Sequence, residues 1–230
     1  MSVLGVVLAR GGSKGVPGKN IRLLNGRPLI AYTLDVAAQS KLIDVCVVSS
    51  DDPEILRVAS EYGNAGLINR PAHLAQDDTP TLPALQHAVR EAEERYGQEF
   101  DYIAELRATS PLKTVEDVDT AIALLIASGA ESVIGVTELG DHHPARAKRL
   151  VNGRIRDFYM KEAASGRRQD LKPKAYIRNG TIYALKRDAV MGKDAKVFGH
   201  DFSLPMIMPE ERSVNIDSER DWMLCEALIG

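Results

Sequence analysis

A chain of 230 residues in which 29 Lys+Arg face 32 Asp+Glu carries a formal charge of −3, with 44% of its residues hydrophobic and 27% charged. That balance excludes a disordered, collagen-like or coiled-coil chain and suffices for one compact domain with a substantial core. It also argues against a broad nucleic-acid or anionic-membrane surface, so positive charge that matters must be gathered in a local pocket.

In chain order, the apolar run Val3 to Leu8 predicts a strand buried on both faces, and a glycine-rich loop follows it directly. The run is short and has no basic segment before it, so it reads as neither a signal peptide nor a membrane span. A helix is expected from about Pro28, with Ile30, Leu34 and Ala37 inward, and Val45 to Val48 is the next buried strand. Asp52-Pro53 then supplies an N-cap and a first-turn proline for a helix burying Ile55, Ala59 and Tyr62. Leu85, Ala88, Val89, Ala92 and Tyr96 recur at helical spacing before a strand at Tyr102 to Leu106. Thr114 and Asp117 have the spacing of a capping box, opening a helix whose inward stripe is Val118, Ile122 and Leu125; a strand at Ser132 to Val136 follows. Strand alternating with helix predicts an α/β fold, a mostly parallel sheet with helices on both faces.

The rhythm changes from about Gly140 to Pro209, where Arg, Lys and Gly are frequent and only short strand-like pieces such as Thr181 to Leu185 occur. This stretch, 140–209, is expected to be an insertion within a single 1–230 domain, forming a lid, a dimer arm or both. Val214-Asn215-Ile216-Asp217 reads as a strand leading into a final helix. The two cysteines, Cys46 and Cys225, sit in apolar patterns and read as buried thiols of a reducing compartment, which places the protein in the cytoplasm.

The loop Arg10-Gly11-Gly12-Ser13-Lys14-Gly15-Val16-Pro17-Gly18-Lys19-Asn20 stands where an open α/β sheet binds its ligand. Its glycines let backbone N–H groups approach an anion, and Arg10, Lys14 and Lys19 add charge, so the pattern points to phosphate. A Walker A loop fails on spacing, since aligning Gly18-Lys19 puts Ser13 at the first glycine and Asn20 at the hydroxyl position. The Gly-x-Gly element of a dinucleotide fingerprint is absent.

These residues resemble those of the CMP-sialic acid synthetases, or acylneuraminate cytidylyltransferases, and the related synthetases for legionaminic, pseudaminic and 3-deoxy-octulosonic acids. The matches run in order through Leu8-Ala9-Arg10-Gly11-Gly12-Ser13-Lys14-Gly15, Val48-Ser49-Ser50-Asp51-Asp52, Arg70-Pro71-Ala72, Ala108-Thr109-Ser110-Pro111-Leu112, His142-His143-Pro144, Arg168-Gln169, Asn179-Gly180-Thr181-Ile182-Tyr183 and Ile216-Asp217. The resemblance implies a Rossmann-like nucleotide-diphospho-sugar transferase fold, a homodimer whose inserted arm reaches the partner's site, Mg²⁺ dependence and release of pyrophosphate. It implies that the substrates are CTP and a sialic-type sugar acid. It puts Leu8, Ala9, Arg10, Gly11, Gly12, Ser13, Lys14, Lys19, Asn20, Arg70 and Thr81 at the nucleotide, with Arg10, Lys19 and Asp217 catalytic. Acceptor candidates on the same basis are Arg107, Thr109, Ser110, Arg146, Arg168, Arg178 and Tyr183, with Phe198 reaching in from the partner.

Two motifs depart from the family pattern. The usual Asp-Ile-Asp reads Asn215-Ile216-Asp217, leaving Asp217 as the metal carboxylate with Asn215 as a weak or water-mediated partner. The usual Gln of the acceptor motif is Arg107, and Lys113 replaces the closing Arg. Arg only donates hydrogen bonds and brings charge, so it grips a carboxylate or phosphate of the acceptor or pairs with an acid such as Glu105. Arg107 therefore keeps open a nucleotidyltransferase coupling another nucleotide, such as GTP, to a sugar phosphate. Asn215 keeps open a nucleotide-binding homologue without catalysis. His142-His143 lacks further ligands at metal spacing and reads as structural or substrate-side, and Asp51-Asp52 as a strand-end turn and helix cap.

Overall fold

The structure, a computed structural model, describes residues 1–162 and 164–230. Its elements in chain order are β1 (Val3–Leu8), β2 (Leu23–Leu24), β3 (Arg27–Pro28), α1 (Leu29–Gln39), β4 (Val45–Ser50), α2 (Pro53–Ala59), β5 (Gly66–Asn69) and α3 (Thr81–Tyr96). They continue with β6 (Tyr102–Leu106), α4 (Val115–Ser128), β7 (Ser132–Glu138), β8 (Lys148–Val151), β9 (Arg154–Asp157), β10 (Tyr176–Lys186), α5 (Arg187–Met191), β11 (Ser203–Ile207) and α6 (Glu219–Ile229). Seven strands form one sheet in the order β11-β7-β10-β6-β1-β4-β5, with β10 antiparallel to both neighbours and every other pairing parallel.

Alternation along β1 divides the core. Val3 and Val7 face α1, α2 and α4, where Ile30, Leu34, Ile55, Val118 and Ile122 pack. Leu4 and Val6 face the other side, where α3 and α5 supply Leu85, Ala88, Val89 and Val190. The helix starts are set locally. Asp52 Oδ1 accepts from Glu54 N at 2.8 Å, and Thr114 with Asp117, and Ser218 with Asp221, form complete capping boxes.

The 140–209 stretch is not one insertion. Tyr176–Lys186 is the longest strand and lies in the middle of the sheet, and Ser203–Ile207 forms one of its edges. The excursion from the sheet is confined to the segment between β7 and β10, which carries the exposed β8–β9 hairpin. The piece read as Thr181 to Leu185 is the buried part of β10, whose exposed start and Gly180 concealed the rest: Tyr176, Ile177 and Arg178 are exposed, whereas residues 179–185 are buried. The 214–217 segment is also not a strand; its backbone meets the sheet region where Ile216 N donates to Thr109 O at 2.8 Å. Tyr62 lies beyond the end of α2, and Tyr96 is 41% exposed rather than inward. Cys225 is buried as expected, whereas Cys46 is only partly so, and both are free thiols.

Asp117 joins α4 to the C-terminal region. Its carboxylate accepts two hydrogen bonds from Arg212, at 2.9 and 3.0 Å, and one from Thr114 N. Burial pushes this carboxyl up, but Arg212 and the Thr114 backbone outweigh it and hold the pKa below its ordinary value. A depressed native pKa means that the stabilisation is complete above the unfolded value near ~3.9 and disappears as pH falls through the native one. Asp117→Ala is expected to lower unfolding free energy by about 1–2 kcal/mol at pH 7, and by less at pH 3, as measured by urea titration at both pH values.

Candidate functional site

The C-terminal ends of β1 and β6, the loop after β1 and the segment before α6 enclose a cavity of about 450 Å³. Ligands of open α/β sheets bind at this end of the strands. The cavity brings together Leu8, Arg10, Ser13, Lys14, Lys19, Asn20, Arg70 and Thr81 from the nucleotide candidates with Arg107, Thr109, Asn215 and Asp217 from the acceptor and metal candidates. Residues expected from separate stretches of the chain thus share one cleft.

Close packing holds the glycine-rich loop over this cleft. A Cβ added to Gly15 would stand 2.1 Å from the carbonyl oxygen of Asp217, a contact that only glycine permits. Val16, buried, packs with Leu24, Leu29, Ile216, Trp222 and Cys225, so α6 anchors the loop from below. Lys19 completes the crossing: its Nζ donates to the Ile216 carbonyl and, at 3.1 Å, to Asp217 Oδ1. Asn20, buried, donates from Nδ2 to Arg10 O at 2.9 Å and bridges the two ends of the loop. Gly11 N donates to Asp51 Oδ1 at 3.1 Å, and Asp52 caps α2, so the paired acids are structural.

The cations of the loop already hold an anion. Arg10 Nη2 lies 3.1 Å from Asp77 Oδ1, Lys14 pairs with the other oxygen of Asp77, and Arg10 Nη1 donates to Gln76 O. Arg70 is buried; it donates from Nε to Ser49 Oγ at 3.1 Å and from Nη2 to the Ser49 carbonyl. Burial lowers its pKa, with Asp51 partly offsetting that. It is therefore no ordinary surface ion pair.

At the other side of the cleft, Arg107 Nε lies 3.4 Å from Glu105 Oε1, and its guanidinium stands 5.1 Å above the centre of the buried Tyr183 ring. Lys113, 3% exposed, spends three donor hydrogens on Thr33 Oγ1, Arg107 O and Ser110 O at 2.7, 2.8 and 2.6 Å. Burial pushes its pKa down to about 7. Lys113 is thus the clamp of the 107–113 turn rather than a ligand contact. Asn215 accepts at Oδ1 from Thr109 Oγ1 at 2.6 Å and donates from Nδ2 to Asp217.

Other candidates lie outside this cavity. Ala9, Gly11 and Gly12 shape the loop without lining it, and Ser110 is fully buried beneath the 107–113 turn. Arg146 pairs with Asp141 at 2.9 Å and Glu162 at 3.4 Å, and Arg168 packs against Gly140. Arg178 lies 3.7 Å over the ring of Phe198 in the same chain. His143 is structural: Nδ1 accepts from Ala145 N, and Nε2 bonds the Pro173 carbonyl. Sequence reasoning passed over Asp77 and treated Glu105 only as a pairing partner. An acid inside the apolar run Tyr102-Ile103-Ala104-Glu105-Leu106 was the available signal for the second; nothing local marked the first.

A family model described as "Cytidylyltransferase" matches residues 4–197. The chain belongs to the cytidylyltransferase family. It is 35% identical over 231 residues to the post-translational flagellin modification protein B of Campylobacter coli, covering 99% of this chain and 94% of that one. It is 35% identical over 228 residues to the CMP-N,N'-diacetyllegionaminic acid synthase of Campylobacter jejuni, covering 99% and 95%. A pseudaminic acid cytidylyltransferase of the same species is 32% identical over 222 residues, covering 96% and 93%. Among solved structures, a CMP:2-keto-3-deoxy-manno-octonic acid synthetase complexed with CTP superposes with a TM-score of 0.71 at 17% identity, covering 100% of this chain and 98% of that one. A 4-diphosphocytidyl-2C-methyl-D-erythritol synthase does so at 0.67 and 13%, covering 100% and 99%. These two likenesses establish the nucleotidyltransferase fold of this cytidylyltransferase.

Because the Asp217 carbonyl occupies the space beside Gly15, Gly15→Ala is expected to open the crossing, lowering thermal stability and cutting nucleotide binding at least tenfold. Gly12→Ala meets nothing within 4 Å and should leave the melting temperature within a degree or two. Thermal denaturation and calorimetric titration of both variants make the comparison.

Proposed function

We propose that this cytidylyltransferase transfers CMP from CTP to a nonulosonic, sialic-type sugar acid and releases pyrophosphate. The observation that carries this reading is the single cleft that joins the cationic glycine-rich loop to Arg107, Thr109 and Asp217. The full-length relatives named for legionaminic and pseudaminic acids point to the same acceptor class. Family membership favours CTP over GTP, so Arg107 is better read as an acceptor residue than as a sign of another base.

In this mechanism the acceptor hydroxyl oxygen bonds to the α-phosphorus and loses its proton to solvent. The bond from that phosphorus to the bridging oxygen breaks, and its electron pair leaves with pyrophosphate. The protein contributes position and charge rather than a covalent nucleophile. Arg10 and Lys14 exchange Asp77 for phosphate oxygens, so the ion pairs that organise the loop are replaced rather than created. Lys19, with a side chain only 12% exposed and held against the Ile216 carbonyl, offers its charge to the transferring phosphoryl group. Asn20 and Arg70 keep the loop and the β4–β5 wall in place for the nucleoside.

The donor set fits Mg²⁺ held jointly by protein and phosphates, because Asp217 is an exposed carboxylate at the cleft and Mg²⁺ commonly takes one or two carboxylates plus phosphate and water. A bound Mg²⁺ would neutralise phosphate charge there. Asn215 has its amide oxygen engaged by Thr109, so its contribution is to steady Asp217.

The proposed assembly is a homodimer. Leu150 and Ile155 are cross-strand partners on the β8–β9 hairpin, 77% and 67% exposed, and Tyr159 beside them is 89% exposed. Apolar groups gathered on a projecting arm favour burial against a second copy. No helix among the described residues is long and apolar enough to cross a membrane. The free thiols support a cytoplasmic setting.

Incubation with CTP, Mg²⁺ and a panel of nonulosonic acids is expected to release pyrophosphate with at least one acid, and silence across the panel would refute the activity. Lys19→Met should lower kcat about 10²- to 10³-fold with the fold intact by circular dichroism. Replacing both Leu150 and Ile155 by Arg should convert a dimer to a monomer in light scattering; a wild-type monomer would exclude the proposed assembly.

A further inference from the structure

Glu105 is 1% exposed, in a strand whose neighbours Ala104 and Leu106 belong to the core. Its Oε1 faces Arg107 Nε at 3.4 Å, while Oε2 is buried without a hydrogen-bond partner among the described residues. Yet Glu105 lines the cleft. Buried carboxylate oxygens are rarely left without a donor, and in a side chain that lines a ligand cavity a donor on the ligand is the available explanation.

The sheet order says which ligand. Glu105 stands opposite Val6 of β1 and Tyr183 of β10, on the β6–β10 side of the glycine-rich loop. Arg70, which bonds Ser49 at the end of β4, stands on the opposite side of β1. With the triphosphate over the loop between them, the nucleoside and the acceptor take opposite flanks, and Glu105 falls to the acceptor. A triphosphate offers no hydrogen-bond donor, so phosphate oxygens are excluded as the partner of Oε2.

We infer that Glu105 is a specificity-determining residue that accepts a hydrogen bond from a hydroxyl or amide N–H of the acceptor sugar, beside the donating guanidinium of Arg107. The pair reads a donor and an oxygen acceptor on one face of the same ligand. The Arg that replaces a neutral amide at position 107 is tolerated here because Glu105 balances its charge and the Tyr183 ring supports its plane. This inference rests on the proposed sugar-acid activity.

The test is steady-state kinetics of wild-type, Glu105→Gln and Glu105→Leu enzymes with CTP, Mg²⁺ and the acid that the wild type turns over best, together with thermal denaturation without ligands. Gln keeps an oxygen facing Arg107 and should hold the melting temperature near the wild-type value, whereas Leu leaves the guanidinium without its partner and should lower it. Leu should also raise the acceptor KM about tenfold to hundredfold while the CTP KM moves less than twofold. Acceptors lacking one hydroxyl or amide N–H should be discriminated by the wild type at one position and by Glu105→Leu at none. An unchanged acceptor KM, a parallel rise in both KM values, or a Glu105→Leu enzyme whose only change is a lower melting temperature would overturn the inference while leaving the proposed activity standing. Turnover of no acid by the wild type would overturn the activity, and this inference with it.

Discussion

The site depends on one close approach, the Asp217 carbonyl oxygen lying where a side chain of residue 15 would be. Through that contact the first loop of the chain and the segment before the last helix become a single wall. Lys19 spans the same crossing, and Val16 and Ile216 share a small core with Trp222 beneath it. The glycine-rich loop therefore takes its shape from the C-terminal helix as much as from its own glycines. A loop rich in glycine loses much conformational freedom when ordered, and burial of Val16, Ile216 and Trp222 offsets that loss.

Electrostatically the cleft is poised rather than simply positive. Arg10 and Lys14 face Asp77, Lys19 faces Asp217, and Arg107 faces Glu105. Each pair sits where a ligand group is expected, so binding substitutes one anion for another and avoids stripping bare cations of water. The partners differ in burial: the side chain of Asp77 is 46% exposed and that of Asp217 72%, whereas that of Glu105 is 2%. The first two are free to yield to phosphate or metal. Glu105 is fixed in the sheet beside Arg107, and burial pushes its carboxyl pKa up despite that neighbour, which makes this flank of the cleft the rigid one. Lys113 adds to that rigidity by tying the Arg107 and Ser110 carbonyls to α1 through Thr33.

Much of the fold was legible in the chain because its signals are local. Val3 to Leu8, Val45 to Val48 and Tyr102 to Leu106 announce buried parallel strands, and Asp52-Pro53 and Thr114 with Asp117 announce helix starts; all are where their spacing put them. Only Thr181 to Leu185 of β10 was legible, because the strand begins with exposed residues and is interrupted by Gly180, where the backbone takes φ 71° and the pairing register shifts. Its place between β6 and β7 arises from pairings with strands tens of residues earlier in the chain, which no local pattern encodes. The 214–217 segment misled in the opposite sense: alternating Val214 and Ile216 suggested a strand, but those side chains are claimed by the small core around Trp222.

What the sequence determined by itself is the chemistry available: a cationic, glycine-rich loop after the first strand, an ordered set of motifs, and one carboxylate at Asp217. These follow from residue identity and short spacing. Tertiary structure alone decided which of those residues meet. It brought Asp217 onto Gly15, set Asp77 against Arg10 and Lys14, and left one buried oxygen of the cleft-lining Glu105 without a partner among the described residues. It kept Arg146 and Arg168 in the segment between β7 and β10 and Arg178 at the exposed start of β10, all three outside the cavity of their own chain. The reason is physical: hydrogen bonds, close approach and burial depend on distance in space, and here the decisive distances join residues far apart in the chain.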